Sequence, residues 1–182
     1  MVGAELGLRP VIWIFGYGSL VWRPDFEHVE RHRADLTGFA RRFWQASTDH
    51  RGTPEKPGIV VTLVPDASAI TTGVAYGLAP NAAEPILRAL DYRERGGYSR
   101  ESVPVALADG RVVDALVYRG TSENPNYLGA LPLPRIAAQI RTAVGPSGPN
   151  PAYVFELHRV LLEMGVEDPH VAGLAALLAQ DP

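Results

Sequence analysis

The order of hydrophobic patterns along this 182-residue chain predicts an α+β domain with mainly antiparallel strands and helices packed outside. Three observations carry that prediction. Short runs rich in β-branched and aromatic residues occupy most of the first two thirds, bounded by glycine, proline and aspartate. The apolar spacing lengthens to a helical period in the last third. Asp109-Gly110, a dipeptide that two-residue hairpins prefer, lies between two of the strand-like runs and makes that pair antiparallel.

The first element is the run Val11-Ile12-Trp13-Ile14-Phe15, which stops at Gly16 and reads as a buried strand. A second strand is predicted over 36–46, where Leu36, Phe39, Phe43 and Trp44 share space with Arg41 and Arg42. "GIVVTLV" at 58–64 and "TGVAYGL" at 72–78 read as two more, separated by a polar turn through Asp66 and Ser68. Over 81–95 the period changes, and Ile86, Leu87, Leu90 and Tyr92 fit a helix. Asn81 and Glu84 have the spacing of a capping box, and Gly96-Gly97 supplies the stop. The hairpin strands are 99–107 and 111–118. Helices are predicted at 132–144, 151–164 and 169–180: Gly145-Pro146 ends the first, Asn150-Pro151 opens the second, Gly165 closes it and Asp168-Pro169 opens the third.

Length allows one domain with a real core, and no linker or internal repeat divides it. A formal net charge of −3, with basic residues scattered among acids, offers no stripe for nucleic acid or an anionic membrane. There is no cysteine, which removes disulfide scaffolds, thiolate zinc sites and cysteine nucleophiles together. The first ten residues contain Glu5 and Arg9 and no apolar core of a signal peptide, and no window approaches the roughly 18 apolar residues of a membrane span. The expectation is a soluble, cytoplasmic protein.

The chemistry begins at "FGYGSLVW", residues 15–22, where a strand feeds a glycine-rich turn. Gly16-Tyr17-Gly18 lacks the third glycine of a dinucleotide fingerprint, since position 21 is valine, and no Gly-Lys-Ser/Thr follows for a phosphate loop. Tyr17 and Val21 stand where a nucleophile elbow needs glycine on either side of Ser19. Two readings are left: a turn that presents the N–H groups of residues 16–21 and the Ser19 hydroxyl to a carboxylate or oxyanion, or a sharp chain reversal with no ligand. His28 and His32, among charges after Pro24, read as a solvated loop or helix rather than a metal site. His50 is at most a pocket residue, and His158 and His170 read as helix-surface or interface residues. Glu94 falls in the last helical turn, where the negative end of the helix dipole pushes a carboxyl pKa up, toward the range of a general base. The competing reading is an ion pair with Arg88, Arg93 or Arg95.

Further blocks decide between these readings by resemblance: "RRFWQASTDHRGTPEKPG" (41–58), "TLV" (62–64), "GVAY" (73–76), "DYRERGGY" (91–98), "NPNYLG" (124–129) and "IRTAVGPSGPN" (140–150). With the glycine loop, they resemble the ChaC family of γ-glutamylcyclotransferases over about residues 11 to 163. The resemblance implies a small, mainly antiparallel β-barrel with surrounding helices, and cleavage of glutathione to 5-oxoproline and cysteinylglycine. Carried over by position, Gly16, Tyr17, Gly18, Ser19, Leu20 and Val21 hold the γ-glutamyl group, and Glu94 is the catalytic acid/base. Arg42, Gln45, Tyr98 and Tyr127 are secondary pocket candidates. Because the substrate's own amine is the nucleophile, no metal and no other cofactor is expected. A cyclotransferase for other γ-glutamyl amines, and a non-catalytic module that binds a γ-glutamyl group, are the alternatives.

Overall fold

The computed structural model describes residues 11–180. Five strands close a barrel in the order β1 (Ile12–Gly16), β3 (Gly58–Leu78), β2 (Glu30–Ser47), β4 (Tyr98–Leu107) and β5 (Val112–Gly120). Neighbours are antiparallel except at the closing seam, where β1 and β5 run parallel through Trp13↔Ala115 and Ile14↔Leu116. Strand β1 is apolar throughout because both its faces are covered. Trp13 and Phe15 enter the main core with Leu36, Phe43 and Leu63, whereas Ile14 joins Leu78, Ala83 and Leu90 under helix α1 (Pro80–Arg93).

The hydrophobic pattern underestimates the two long strands. Strand β2 begins at Glu30, not near 36, because Arg31 and Arg33 alternate outward into solvent and hide the strand's polar start. His32 therefore lies on β2, not in a loop or helix, with Nε2 3.0 Å from Glu30 Oε2. Strand β3 is one strand of 21 residues where two and a turn were expected. Asp66 and Ser68 do form a local turn: the Ser68 N–H and hydroxyl both donate to Asp66 Oδ1, at 3.0 and 2.7 Å. The turn is absorbed as a bulge, since pairing with β2 jumps from Phe39↔Pro65 to Thr37↔Ile70 and the chain continues in the same direction.

Two local signals also resolve differently. Helix α1 starts at Pro80 after Ala79, with no side-chain cap; Asn81 and Glu84 form no capping box, and Glu84 pairs with Arg88 instead. The hairpin loop has three residues: the Leu107 N–H donates to Arg111 O (2.8 Å), the Gly110 N–H donates to Leu107 O (3.0 Å), and Gly110 takes φ +92°. That is the next commonest hairpin loop, with glycine at the left-handed position.

Helices α2 (Leu133–Thr142), α3 (Asn150–Glu163) and α4 (Pro169–Ala179) cover the barrel through Ile136, Ile140, Leu157, Leu161, Val171 and Leu174. Between α2 and α3, Val144–Gly145 (β6) pairs with Gly148–Pro149 (β7). The fully buried Asn150 clips this junction to the barrel, accepting from the Ile59 N–H (2.6 Å) and donating to Ile59 O (2.9 Å). Among the described residues no helix is long and apolar enough to cross a membrane. The directions of the strands bring the ends of β1, β2 and β5 and the starts of β3 and β4 to one end of the barrel.

Candidate active site

At that end, the chain leaves β1 through Gly16, Tyr17 and Gly18 and makes a single 3₁₀ turn over Ser19–Val21. The turn is closed by the Val21 N–H donating to Gly18 O (3.0 Å) and the Arg23 N–H donating to Ser19 O (2.8 Å). The leading N–H groups of a helical turn have no partner within the turn, which leaves those of Gly18, Ser19 and Leu20 available. The glycines are required for space. A Cβ at Gly18 would stand 2.8 Å from the Tyr153 hydroxyl and 3.0 Å from Val61 Cγ2. At Gly16 a Cβ would meet Leu20 Cβ at 2.7 Å.

The loop's large side chains anchor it. The buried Tyr17 donates its hydroxyl to Tyr118 O on β5 (2.6 Å), and Tyr76 on β3 donates to Leu20 O (2.6 Å). Val21 packs with Val74, Tyr76 and Val160 and does not line the cavity; its part is to shape the turn. Arg41, 2% exposed, donates from Nε to Tyr17 O (2.8 Å), from Nη2 to Thr72 O (2.5 Å) and from Nη1 to Asp168 Oδ2 (2.9 Å). One buried guanidinium thus ties the loop to β2, β3 and the start of α4.

Glu94 caps the C-terminus of α1, its N–H donating to Leu90 O (2.8 Å) and its carbonyl accepting from the Tyr98 N–H (3.1 Å). The turn beyond it needs Gly97, at φ +114°. Asn124 and Asn126 brace that turn: Asn124 Nδ2 donates to Gly97 O, and Asn126 Nδ2 donates to Gly96 O (2.9 Å). Burial raises the carboxyl pKa above the ordinary glutamate value; Arg93 and His50 pull it back and Asp49 adds to the rise. The direction matches the expectation from sequence, but its principal cause is desolvation. Of the predicted ion-pair partners only Arg93 reaches Glu94, with Nε 3.5 Å from Oε1, while its Nη2 donates to Ser19 Oγ (2.8 Å). Arg88 pairs with Glu84, and Arg95 lies over the Tyr92 ring.

Glu94 therefore meets the glycine loop in a cavity of about 60 Å³ bounded by Gly16, Tyr17, Gly18, Ser19 and Leu20, with Tyr98 and Tyr153. A cleft of about 260 Å³ adjoins it, and Ser19, Glu94, Tyr98 and Tyr153 line both. Burial keeps the Tyr17, Tyr98 and Tyr153 hydroxyls protonated at neutral pH, with pKa values pushed above the usual tyrosine range. The combination of backbone donors, neutral hydroxyls and one proton-accepting carboxylate can hold an acyl group and shuttle its protons.

Of the secondary candidates, Tyr98 lines both spaces, donating to Val61 O (2.9 Å), and His50 lines the cleft. Gln45 is fully buried elsewhere, Arg42 donates to Arg41 O (2.8 Å), and Tyr127 bridges to Gln45; none lines either space. Sequence reasoning missed Arg41, Asn124 and Tyr153. A signal existed for Arg41, which alternates with Phe43 and so points inward. Tyr153 has helical spacing to Leu157 and Val160, which reads simply as core.

The chain matches the family described as ChaC-like protein over residues 12–181. It is 41% identical over 169 residues to glutathione-specific gamma-glutamylcyclotransferase 1 of Homo sapiens, covering 90% of this chain and 76% of that protein. It is 37% identical over 184 residues to the glutathione-specific gamma-glutamylcyclotransferase of Schizosaccharomyces pombe, covering 91% of each. A crystal structure of the selenomethionine-labelled gamma-glutamyl cyclotransferase specific to glutathione from yeast matches with a TM-score of 0.88 and 31% identity, over 93% of this chain and 96% of that one.

Proposed function

The chain belongs to the ChaC-like protein family, and from that premise we propose that it cleaves glutathione by intramolecular cyclisation, releasing 5-oxoproline and cysteinylglycine. The α-amine of the γ-glutamyl residue attacks its own γ-carbonyl carbon; a carbon–nitrogen bond closes the five-membered ring, and the bond to the cysteinyl nitrogen breaks. Nucleophile and electrophile belong to one residue, so holding the cyclising conformer supplies much of the rate. The small cavity takes the γ-glutamyl group, with backbone N–H groups of the 16–21 loop directed at its α-carboxylate or at the developing oxyanion. The larger cleft takes the leaving dipeptide.

Protons must move as well. The α-amine, with a reference pKa near 8, is mostly ammonium at neutral pH. Two protons pass from it to the departing nitrogen. Glu94 accepts one during attack and returns it as the carbon–nitrogen bond breaks, and the other exchanges through solvent at the cleft mouth. The observation that carries this reading is that Glu94, its pKa raised by burial, lines both the loop cavity and the cleft. The test is incubation with glutathione and mass detection of the two products in equal amounts. A folded protein that forms no 5-oxoproline would refute the activity.

A further inference from the structure

The cleft beside Glu94 is lined by three carboxylates, Asp25, Asp49 and Glu94, and by three arginines, Arg23, Arg51 and Arg93. Arg23 is paired with Asp25 (3.0 Å), and Arg93 lies between Glu94 (3.5 Å) and Asp25 (4.0 Å). Arg51 forms no ion pair among the described residues. Its Nη1 donates to Pro149 O at 3.2 Å, and its guanidinium lies 5.6 Å from the centre of the Tyr153 ring. Burial is the main cause that lowers its pKa below the usual arginine value, and Arg23 adds to the fall. His50 adjoins it in sequence and lines the same cleft. Its Nε2 is buried without a hydrogen-bond partner, with Asp49 Oδ2 at 3.9 Å, while its Nδ1 is 3.5 Å from Ser147 Oγ.

We propose that Arg51 binds the glycine carboxylate of glutathione, so that the enzyme reads the C-terminus of the leaving dipeptide. The proposal rests on the function given above. Geometry supports it through Tyr153: the hydroxyl of that ring lies against Gly18 in the γ-glutamyl cavity, and its face lies under Arg51 in the cleft. One tyrosine side chain thus touches both the loop and the guanidinium. The two residues that follow the γ-carbonyl in glutathione reach at most about 7 Å when extended, of the same order as the 5.6 Å between the guanidinium and the ring centre. A guanidinium fork suits a terminal carboxylate better than an ammonium does, since two parallel N–H groups face two oxygens.

The test compares glutathione with glutathione monoethyl ester, blocked at the glycine carboxylate, as substrates of the wild-type protein and of Arg51→Gln. A charged hydrogen bond of this kind changes kcat/KM by about 10- to 100-fold. The wild type is expected to prefer the free acid by that factor, mostly through KM. Arg51→Gln should lose the acid's advantage, leaving the two substrates within about threefold, a ratio that a merely structural role for Arg51 would not alter. Arg51→Lys, which keeps the charge and loses the fork, should fall between them and carries the same test if the Gln variant is unstable. Normal turnover of glutathione with no preference over the ester would overturn the proposal, as would a variant that keeps the full wild-type preference. Absence of any turnover of glutathione would instead overturn the function itself, and this inference with it.

Discussion

Glu94 must ionise to act as a base in a place where burial favours its neutral form. Two consequences of opposite sign follow for Glu94→Gln. A general acid–base group contributes about 10²–10⁴-fold, so kcat should fall by that order with a much smaller change in KM. The folded pKa lies above the unfolded one, so the favourable linkage is complete below the unfolded value and is lost as pH rises through the folded value. At pH 7 the ionised side chain therefore costs stability, and the variant should melt at a higher temperature than the wild type. Lower turnover with unchanged or reduced Tm would contradict this account of burial. The acid limb of the wild-type kcat profile should have an apparent pKa above that of an ordinary glutamate and vanish in the variant's residual rate. Gly18→Val tests the loop. Its side chain must displace Tyr153 or Val61, so 5-oxoproline formation should be abolished while circular dichroism stays close to wild type. Normal kinetics in that variant would reduce the loop to a chain reversal.

Helix α4 makes the barrel sensitive to acid. His170, read from sequence as a helix-surface or interface residue, stacks on Phe43 with ring centroids 6.0 Å apart and accepts the Phe43 N–H at Nε2 (3.0 Å), so its ring is neutral. Burial lowers its pKa from 6.5 to about 4, helped by Arg42 and opposed by Asp168. A lowered folded pKa gives stability that is complete above the unfolded value and disappears as pH falls through the folded one. Tm should decline from about pH 6.5 toward pH 4, and His170→Gln should flatten the upper part of that decline, before the carboxylates titrate. Parallel profiles for wild type and variant would show that another group titrates. This contact had no legible signal, because helical spacing gives the face of a helix but not the strand it meets. The same gap hid the start of β2 and the continuity of β3. Arg31 and Arg33 look like loop on composition, and Asp66 and Ser68 look like a reversal, until a paired neighbour carries the chain straight through.

At the scale of the whole molecule, Arg41 joins the elements that sequence separates most widely. Arg41→Met strands the Asp168 carboxylate and the carbonyls of Tyr17 and Thr72. Removing one partner of a buried pair costs about 3–5 kcal/mol. Tm should fall sharply, and turnover per folded molecule should fall with it, because the loop loses its anchor. Addition of Asp168→Asn should cost less than the sum of the two single changes; strict additivity in this double-mutant cycle would show that the pair is not coupled. By itself the sequence determined the α+β class and the approximate positions of most elements, and it singled out the glycine loop and Glu94 as site candidates, because periodicity, turn chemistry and motif blocks are properties of neighbouring residues. Tertiary structure alone decided the closure of β1 on β5, the meeting of residues 16–20 with position 94, the burial that raises the Glu94 pKa, and the buried role of Arg41 in place of Arg42. Each of those depends on which distant segments exclude water from one another, and no local pattern in the chain carries that information.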